Sequence, residues 1–179
     1  MNLRNDALIG AAEAVLAVER IATATSTGVT VGPVGVLRVS PGAANVIPGA
    51  ATFVVDIRDS DGPVRDAAVA EFRRELDAIA ARRGLTVGVD VIQDNAPSVC
   101  DPIVVGAVRA ACETVGEPHL TKHSGAYHDC MSFSPEVPIV MLFVPSRGSV
   151  SHHPDEYTAP REIDLGIAVL TDALRRLAA

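Results

Sequence analysis

Ile139-Val140-Met141-Leu142-Phe143-Val144 is the longest uninterrupted apolar run in this 179-residue sequence. Six apolar residues in a row, without the alternation of a half-buried strand, describe a strand covered on both faces, as in parallel α/β sheets. The run is far short of the roughly 18 residues a membrane-spanning helix needs. Around it the pattern reads helix (about Pro102 to Val115), short strand (His119 to His123), short helix (near His128 to Phe133), the apolar strand (Pro138 to Val144) and a long loop (Pro145 to Pro160). A terminal helix from about Glu162 to Leu177 closes the chain. Two strands do not make a stable sheet, since about three or more are needed. The second half therefore reads as part of a larger sheet, whose other strands this chain lacks or borrows from a partner.

The first half has a different rhythm. Asn5 and Asp6 offer an N-cap, and Leu8, Ala11, Ala12, Val15, Val18 and Ala22 recur at helical spacing, which predicts a helix to about Thr23. Val29 to Val39 is β-rich, with Gly32, Pro33 and Gly35 marking a bulge or an edge. After the loop Ser40 to Ala50, Phe53, Val55 and Ile57 alternate with Val54, Asp56 and Arg58 as in a half-buried antiparallel strand. A second helix follows from about Val64 to Arg83, with Val69, Phe72, Leu76 and Ile79 inward and Gly84 as its cap. Leu85 to Ile92 alternates again as a strand. The order αββαβ implies an antiparallel sheet with two helices on one face and the other face open. Asn95-Ala96-Pro97-Ser98 reads as a boundary, so the expected domains are 1–97 and 98–179.

Composition excludes several functions. With 22 acidic and 15 basic residues the net charge is -7, unlike a phosphate-backbone binder. Aromatics are 3%, too few for a base-stacking platform, so no nucleic-acid partner is expected. No membrane segment is expected either. Cys100, Cys112 and Cys130 are odd in number and widely spaced, which points to a reducing cytoplasm rather than a disulfide or Cys-zinc framework.

Three segments carry polar chemistry. Asp56 and Arg58 share the open face of the first sheet, where the Arg58 fork suits a carboxylate and Asn45 adds a nearby amide donor. The same spacing also describes a surface Asp–Arg pair and a turn asparagine. Ser124-Gly-Ala-Tyr-His-Asp129 is a small-residue loop able to present N–H groups to an anion, and it places Tyr127, His128 and Asp129 beside them. A Ser124/His128/Asp129 triad is conceivable, but no nucleophile elbow surrounds the serine; the bland alternative is a capped helix start. Ser151-His-His-Pro-Asp-Glu156 follows the buried strand, where ligands gather, and at most one of its two adjacent histidines could bind a given metal.

Taken in order, Asn45-Val-Ile-Pro-Gly49, Asp56-Ile-Arg58, Ser124-Gly-Ala-Tyr-His-Asp129, Phe143-Val-Pro-Ser146 and Gly148-Ser-Val-Ser-His152-His-Pro-Asp-Glu156 resemble the amidase/hydantoinase/carbamoylase family. This group holds N-carbamoyl-L-amino-acid hydrolases, allantoate amidohydrolases and β-ureidopropionases, within the aminoacylase/carboxypeptidase-type metallopeptidase superfamily. Met1-Asn-Leu-Arg-Asn-Asp-Ala7 also resembles a family segment of the form P-M-x-x-R-x-D-A.

The resemblance implies an α/β fold in two parts. Residues 1–97 would be most of an α+β lid that also dimerises, and 98–179 the C-terminal part of a larger α/β catalytic domain. It further implies that Asn45 and Arg58 hold the substrate carboxylate, that Tyr127 and His128 line the same pocket, and that His152 is a metal ligand. Tyr127 stands where the family commonly has glycine, and His153 matches no ligand position.

The implied cofactor is a divalent metal (Zn, Mn, Co or Ni). The family's H-x-D motif, bridging Asp, Glu pair, second metal His and H-A-G-x-x-P-M segment would all precede Met1. The expected function is therefore hydrolysis of linear amide or ureido C–N bonds in small carboxylate substrates, by a chain inactive alone. Its expected partners are a homo-oligomer or a separately supplied N-terminal half. The alternative is a non-catalytic lid, dimerisation or regulatory module.

Overall fold

The computed structural model describes residues 4–134 and 136–179. These fall into two compact units, one running through Pro97 and the other from Ser98 onward. The fold is mixed α/β, with four α-helices and one two-stranded antiparallel sheet among the described residues.

In the first unit, α1 (Ala7–Thr23) begins where Asp6 Oδ1 accepts the N–H groups of Leu8 and Ile9 at 3.1 and 3.2 Å. Helix α2 (Gly62–Arg83) begins under Asp61, with proline in its first turn. It ends at Gly84, whose φ of 63° permits the two closing bonds, Gly84 N–H to Ala81 O and Leu85 N–H to Ala80 O. The Asn5 amide donates to Gly84 O at 2.9 Å and would sit 3.3 Å from any Cβ placed there, so both backbone and space require glycine.

Strand β1 (Val36–Ser40) pairs antiparallel with β2 (Ala50–Val54), Leu37 opposite Phe53 and Val39 opposite Ala51. A separate bridge joins Val31 to Arg58. The core lies between the helices and the sheet. Ala14, Val18 and Ile21 of α1 meet Ala68, Phe72, Leu76 and Ile79 of α2, with Val34, Phe53, Val55 and Ile57 packed beneath them.

The inward face of α1 is Gly10, Ala11, Ala14, Ala17, Val18 and Ile21, while Ala12 is exposed. This face is rotated from the one expected. Alanine is the commonest residue of α1 and lies on both sides of it, so the apolar pattern barely distinguishes them; a Cβ on Gly10 would come within 2.4 Å of Leu85 Cδ1, which shows how closely that side is filled. Likewise Ala68, not Val69, is the buried start of the α2 stripe.

Electrostatics tie the unit together at two places. Glu13 bridges the C-terminal end of α2, taking Arg82 at 2.8 Å on one oxygen and Arg83 on the other. The Arg83 hydrogen bond foremost pulls its carboxyl down to about 2, against the cost of burial. Asp59 is buried. Burial alone would raise it, but the Thr27 and Thr30 hydroxyls and the Asp61 and Ser60 N–H groups outweigh that and hold it below the usual carboxylate range.

Both groups are depressed in the folded state, so their contribution is fully present above the unfolded carboxylate values and disappears as pH falls through the folded ones. Thermal melts of the chain should therefore drop between about pH 4.5 and about pH 2, and Glu13→Gln should flatten that drop. Asp59→Ala should cost about 1–3 kcal/mol at pH 7, because it removes the carboxylate that accepts from the Thr27 and Thr30 hydroxyls and the Asp61 N–H.

In the second unit, α3 (Pro102–Val115) starts under Asp101 and closes at Gly116, with φ 79°. It packs on α4 (Pro160–Leu177) through Ala111, Cys112, Val169 and Ala173, joined by Val108, Val115 and Leu142. A Cβ on Gly166 would lie 2.6 Å from Val144 Cγ1, so glycine is what lets the 142–144 segment approach α4.

Three expected strands are corrected. Leu85 to Ile92, His119 to His123 and Pro138 to Val144 form no ladder among the described residues. A strand exists through a neighbouring backbone, and alternation alone does not supply one. Val87, Val89, Val91 and Ile92 are exposed instead, Ile92 by 81%. The run Ile139 to Val144 is not covered on both faces: its first four residues are half-buried, and Phe143 and Val144 are exposed. No described helix is long and apolar enough to cross a membrane.

Candidate functional site

The polar segments fall in both units, and each is described within its own. In the first unit, Asn45 lies exposed in a turn of the loop before β2. That loop is closed by Gly49 N–H to Ser40 O at 3.1 Å and by Val46 N–H to Ala43 O at 3.3 Å, and it is tied to α1 through Ala7 N–H and Pro48 O. Along β2 and just beyond it, Phe53, Val55 and Ile57 face the helices, which turns Asp56 and Arg58 to the uncovered side, as the alternation predicts.

Arg58 is anchored at its backbone by two 3.0 Å bonds with Val31. Its side chain is 41% exposed and forks onto Asp56, with Nε to Oδ1 at 2.9 Å and a second bond to Oδ2. The Arg58 hydrogen bond is the main reason the Asp56 carboxyl sits below its ordinary value, burial opposing it. Thus Arg58 keeps its charge and its guanidinium plane is held by Asp56, on a solvent-facing sheet surface.

In the second unit, the Ser124–Asp129 turn leads into a short 3₁₀ helix, Asp129–Ser132, with His128 as the residue before it. Ser124 Oγ lies 2.6 Å from His128 Nε2. Tyr127 Oη is 3.3 Å from Ser132 Oγ, which turns the phenol toward that short helix. Two contacts around His128, one to its ring and one to the aromatic beside it, have no signal in the sequence. Phe143 meets its ring edge-on at 5.7 Å between centroids, and Lys122 lies over the Phe143 ring at 5.5 Å. Only the fold reveals them, because Phe143 lies 15 positions after His128 in the chain.

The loop after Val144 is pinned by Arg147 N–H to Tyr157 O at 2.8 Å and by Ser146 Oγ to Val150 O at 2.6 Å. Within it His152 has φ 56°, a left-handed backbone that costs a side-chain-bearing residue energy and often accompanies a functional position. Its N–H donates to Glu156 Oε2 at 2.8 Å. His153 is engaged locally, accepting the Asp155 N–H on Nδ1 at 3.2 Å.

No group of three or more His, Cys, Asp or Glu able to hold a metal occurs among the described residues. The donor set does not fit a catalytic metal, which takes about three protein ligands, so no chemical step through a metal is derived from this chain.

A family model described as peptidase family M20/M25/M40 matches residues 6–176. The chain belongs to that family. Its similarities are specific. It is 37% identical over 178 residues to an N-carbamoyl-L-amino acid amidohydrolase of Geobacillus stearothermophilus, covering 99% of this chain and 43% of that one. It is 33% identical over 178 residues to a ureidoglycolate hydrolase of Oryza sativa subsp. japonica, covering 99% and 37%.

Among solved structures, an amidase of the hydantoinase/carbamoylase family from Burkholderia multivorans superposes with a TM-score of 0.88 at 37% identity, over 97% of this chain and 42% of that one. The chain thus spans about two fifths of the length of the relatives it matches.

Proposed function

We propose that this chain serves a metal-dependent amidohydrolase acting on the linear amide or ureido C–N bond of a small carboxylate substrate, an N-carbamoyl amino acid or an allantoate-type acid. The observation that carries this reading is the match of 99% of the chain to relatives named for carbamoyl-amino-acid and ureidoglycolate hydrolysis. Both names describe a ureido group close to a carboxylate. On this reading Arg58, pre-oriented by Asp56, and Asn45 take the carboxylate; Tyr127 and His128 contact the substrate; and His152 is the one metal ligand this chain supplies. His152 by itself cannot hold that metal, so on this reading its other ligands and the base that activates water would have to be supplied from beyond this chain's described residues.

The test is to complete the chain with the segments of a relative that it does not span, then assay N-carbamoyl amino acids, allantoate and ureidopropionate with Zn, Mn, Co or Ni. Turnover of one of these supports the proposal, and inactivity with all three by a folded, metal-loaded assembly rejects it. In that assembly Arg58→Lys should weaken substrate binding by roughly 1.5–3 kcal/mol, because an ammonium cannot reproduce the fork. An unchanged KM with a lower melting temperature would instead make Arg58 a structural partner of Asp56.

The same reading includes self-association in a cytoplasmic setting. The exposed row Val87, Val89 and Val91 and the exposed Ile163, Ile167, Leu170 and Leu174 on α4 are apolar surface of the kind that partners cover. Sedimentation at micromolar concentration should show more than a monomer.

A further inference from the structure

Arg58 is carried by a stretch of backbone that the β1–β2 ladder does not align. The ladder pairs Val36 with Val54, and continued unchanged it would set Gly32 opposite Arg58. Arg58 instead pairs with Val31, and the Asp56 N–H reaches Pro33 O at 3.1 Å. The β1 side therefore carries one extra residue between Pro33 and Val36, a bulge of the kind that re-aims a side chain. Register at the Val31–Arg58 bridge is thus set by something other than the ladder.

Asp59, the next residue, is in place to set it. Neighbours on an extended chain point to opposite faces, so Asp59 is buried where Arg58 is open to solvent. Its Oδ2 accepts the Thr27 hydroxyl at 2.6 Å and the Thr30 hydroxyl, and its Oδ1 accepts the Asp61 N–H at 2.8 Å. Bonds to an ionised carboxylate are roughly twice as strong as neutral ones. Thr30 immediately precedes Val31, and its Oγ1 lies 2.6 Å from Thr25 Oγ1 in the turn after α1. One buried carboxylate therefore ties together the turn after α1, the bridge and the start of α2.

We infer that Asp59 is a positioning residue: by gripping Thr27 and Thr30 from the buried face, it holds the out-of-register Val31–Arg58 bridge and so aims the Arg58 guanidinium at its ligand. The inference rests on the reading of Arg58 as the carboxylate ligand and adds what sets its place. Two carboxylates then divide the work. Asp56 orients the fork on the open face, and Asp59 fixes the backbone that carries it.

The test reads the bridge first and the substrate second. Amide hydrogen exchange of the 179-residue chain is followed at the Val31 and Arg58 N–H groups, with those of Ile21 and Phe72 as reporters of the core. In Asp59→Ala the two bridge amides should exchange at least about tenfold faster relative to the core pair, because a local opening is released that global unfolding does not share. Thr27→Val, which removes one donor and little volume, should act in the same direction to a smaller extent. An unchanged bridge, or equal acceleration of all four amides, overturns the proposal and leaves the packing of Gly32 on Val18 and Ala22 to hold Val31. In the enzyme completed with a relative's segments, Asp59→Ala should raise KM about tenfold with kcat changed far less, and should add little to Arg58→Lys, since both act through one guanidinium. Full additivity of the two, or a KM that moves only for Arg58→Lys, overturns the positioning role. A KM that moves for neither overturns the carboxylate reading of Arg58 instead.

Discussion

His152→Ala, in the chain completed with the segments of a relative that it does not span, is expected to lower hydrolysis by more than about 100-fold and to reduce metal content with it. Loss of a group that merely supports a metal ligand costs 10–100-fold, and loss of the ligand itself costs more. Local geometry separates His152 from its neighbour. His152 holds a left-handed backbone at φ 56° and is fixed through its backbone N–H on Glu156, with no ring bond among the described residues. The His153 ring is spent within the turn on the Asp155 N–H. His153→Ala should therefore keep most of the activity.

The 179-residue chain by itself should take up no stoichiometric Zn or Mn in equilibrium dialysis, since one imidazole holds such ions weakly. Equal losses in the two histidine variants would mean that the loop acts only through its fold. Stoichiometric metal in the unaccompanied chain would mean that its donors had been miscounted.

Phe72→Ala is expected to destabilise the first unit by about 3–5 kcal/mol, the cost of emptying a buried aromatic site. Phe72 sits in the middle of the α2 stripe, between Ala68 and Leu76, with α1 and the Phe53–Val55–Ile57 face of the sheet packed around it. Few other aromatics are available to fill the void, as the chain has four Phe and no Trp. A domain's whole stability is about 5–15 kcal/mol, so this one change should remove a large part of it. Urea unfolding should show a lower midpoint with little change in slope. Val69→Ala, at a half-buried position on the edge of the stripe, should cost clearly less. Equal shifts for the two would mean that Val69 belongs to the inward face of α2, as periodicity alone suggested.

Much of this protein is legible locally. The helix starts at Asp6, Asp61 and Asp101 and the stop at Gly84 follow from a carboxylate beside free N–H groups and from a residue able to adopt positive φ. Such signals involve only a few neighbouring residues, so the sequence alone places α1 through α4 within a residue or two. The two faces of the segment running from Phe53 in β2 to Arg58 are equally local: alternation puts Phe53, Val55 and Ile57 inward and Asp56 and Arg58 outward.

Strand pairing is different in kind. Val87, Val89 and Val91 alternate as well as Phe53, Val55 and Ile57 do, yet only the second set starts in a paired strand, because a ladder needs a neighbouring backbone that no local pattern can provide. The rotation of α1 was likewise undecidable from an alanine-rich helix and was settled by Leu85 filling the space at Gly10. At His128 the serine four residues earlier was visible in the sequence, but the aromatic edge of Phe143 that fixes the ring was not. Sequence therefore determined the helices, their caps and which polar residues stand ready. The tertiary structure alone decided which apolar segments found partners and which rings were held, because both depend on contacts between residues far apart in the chain.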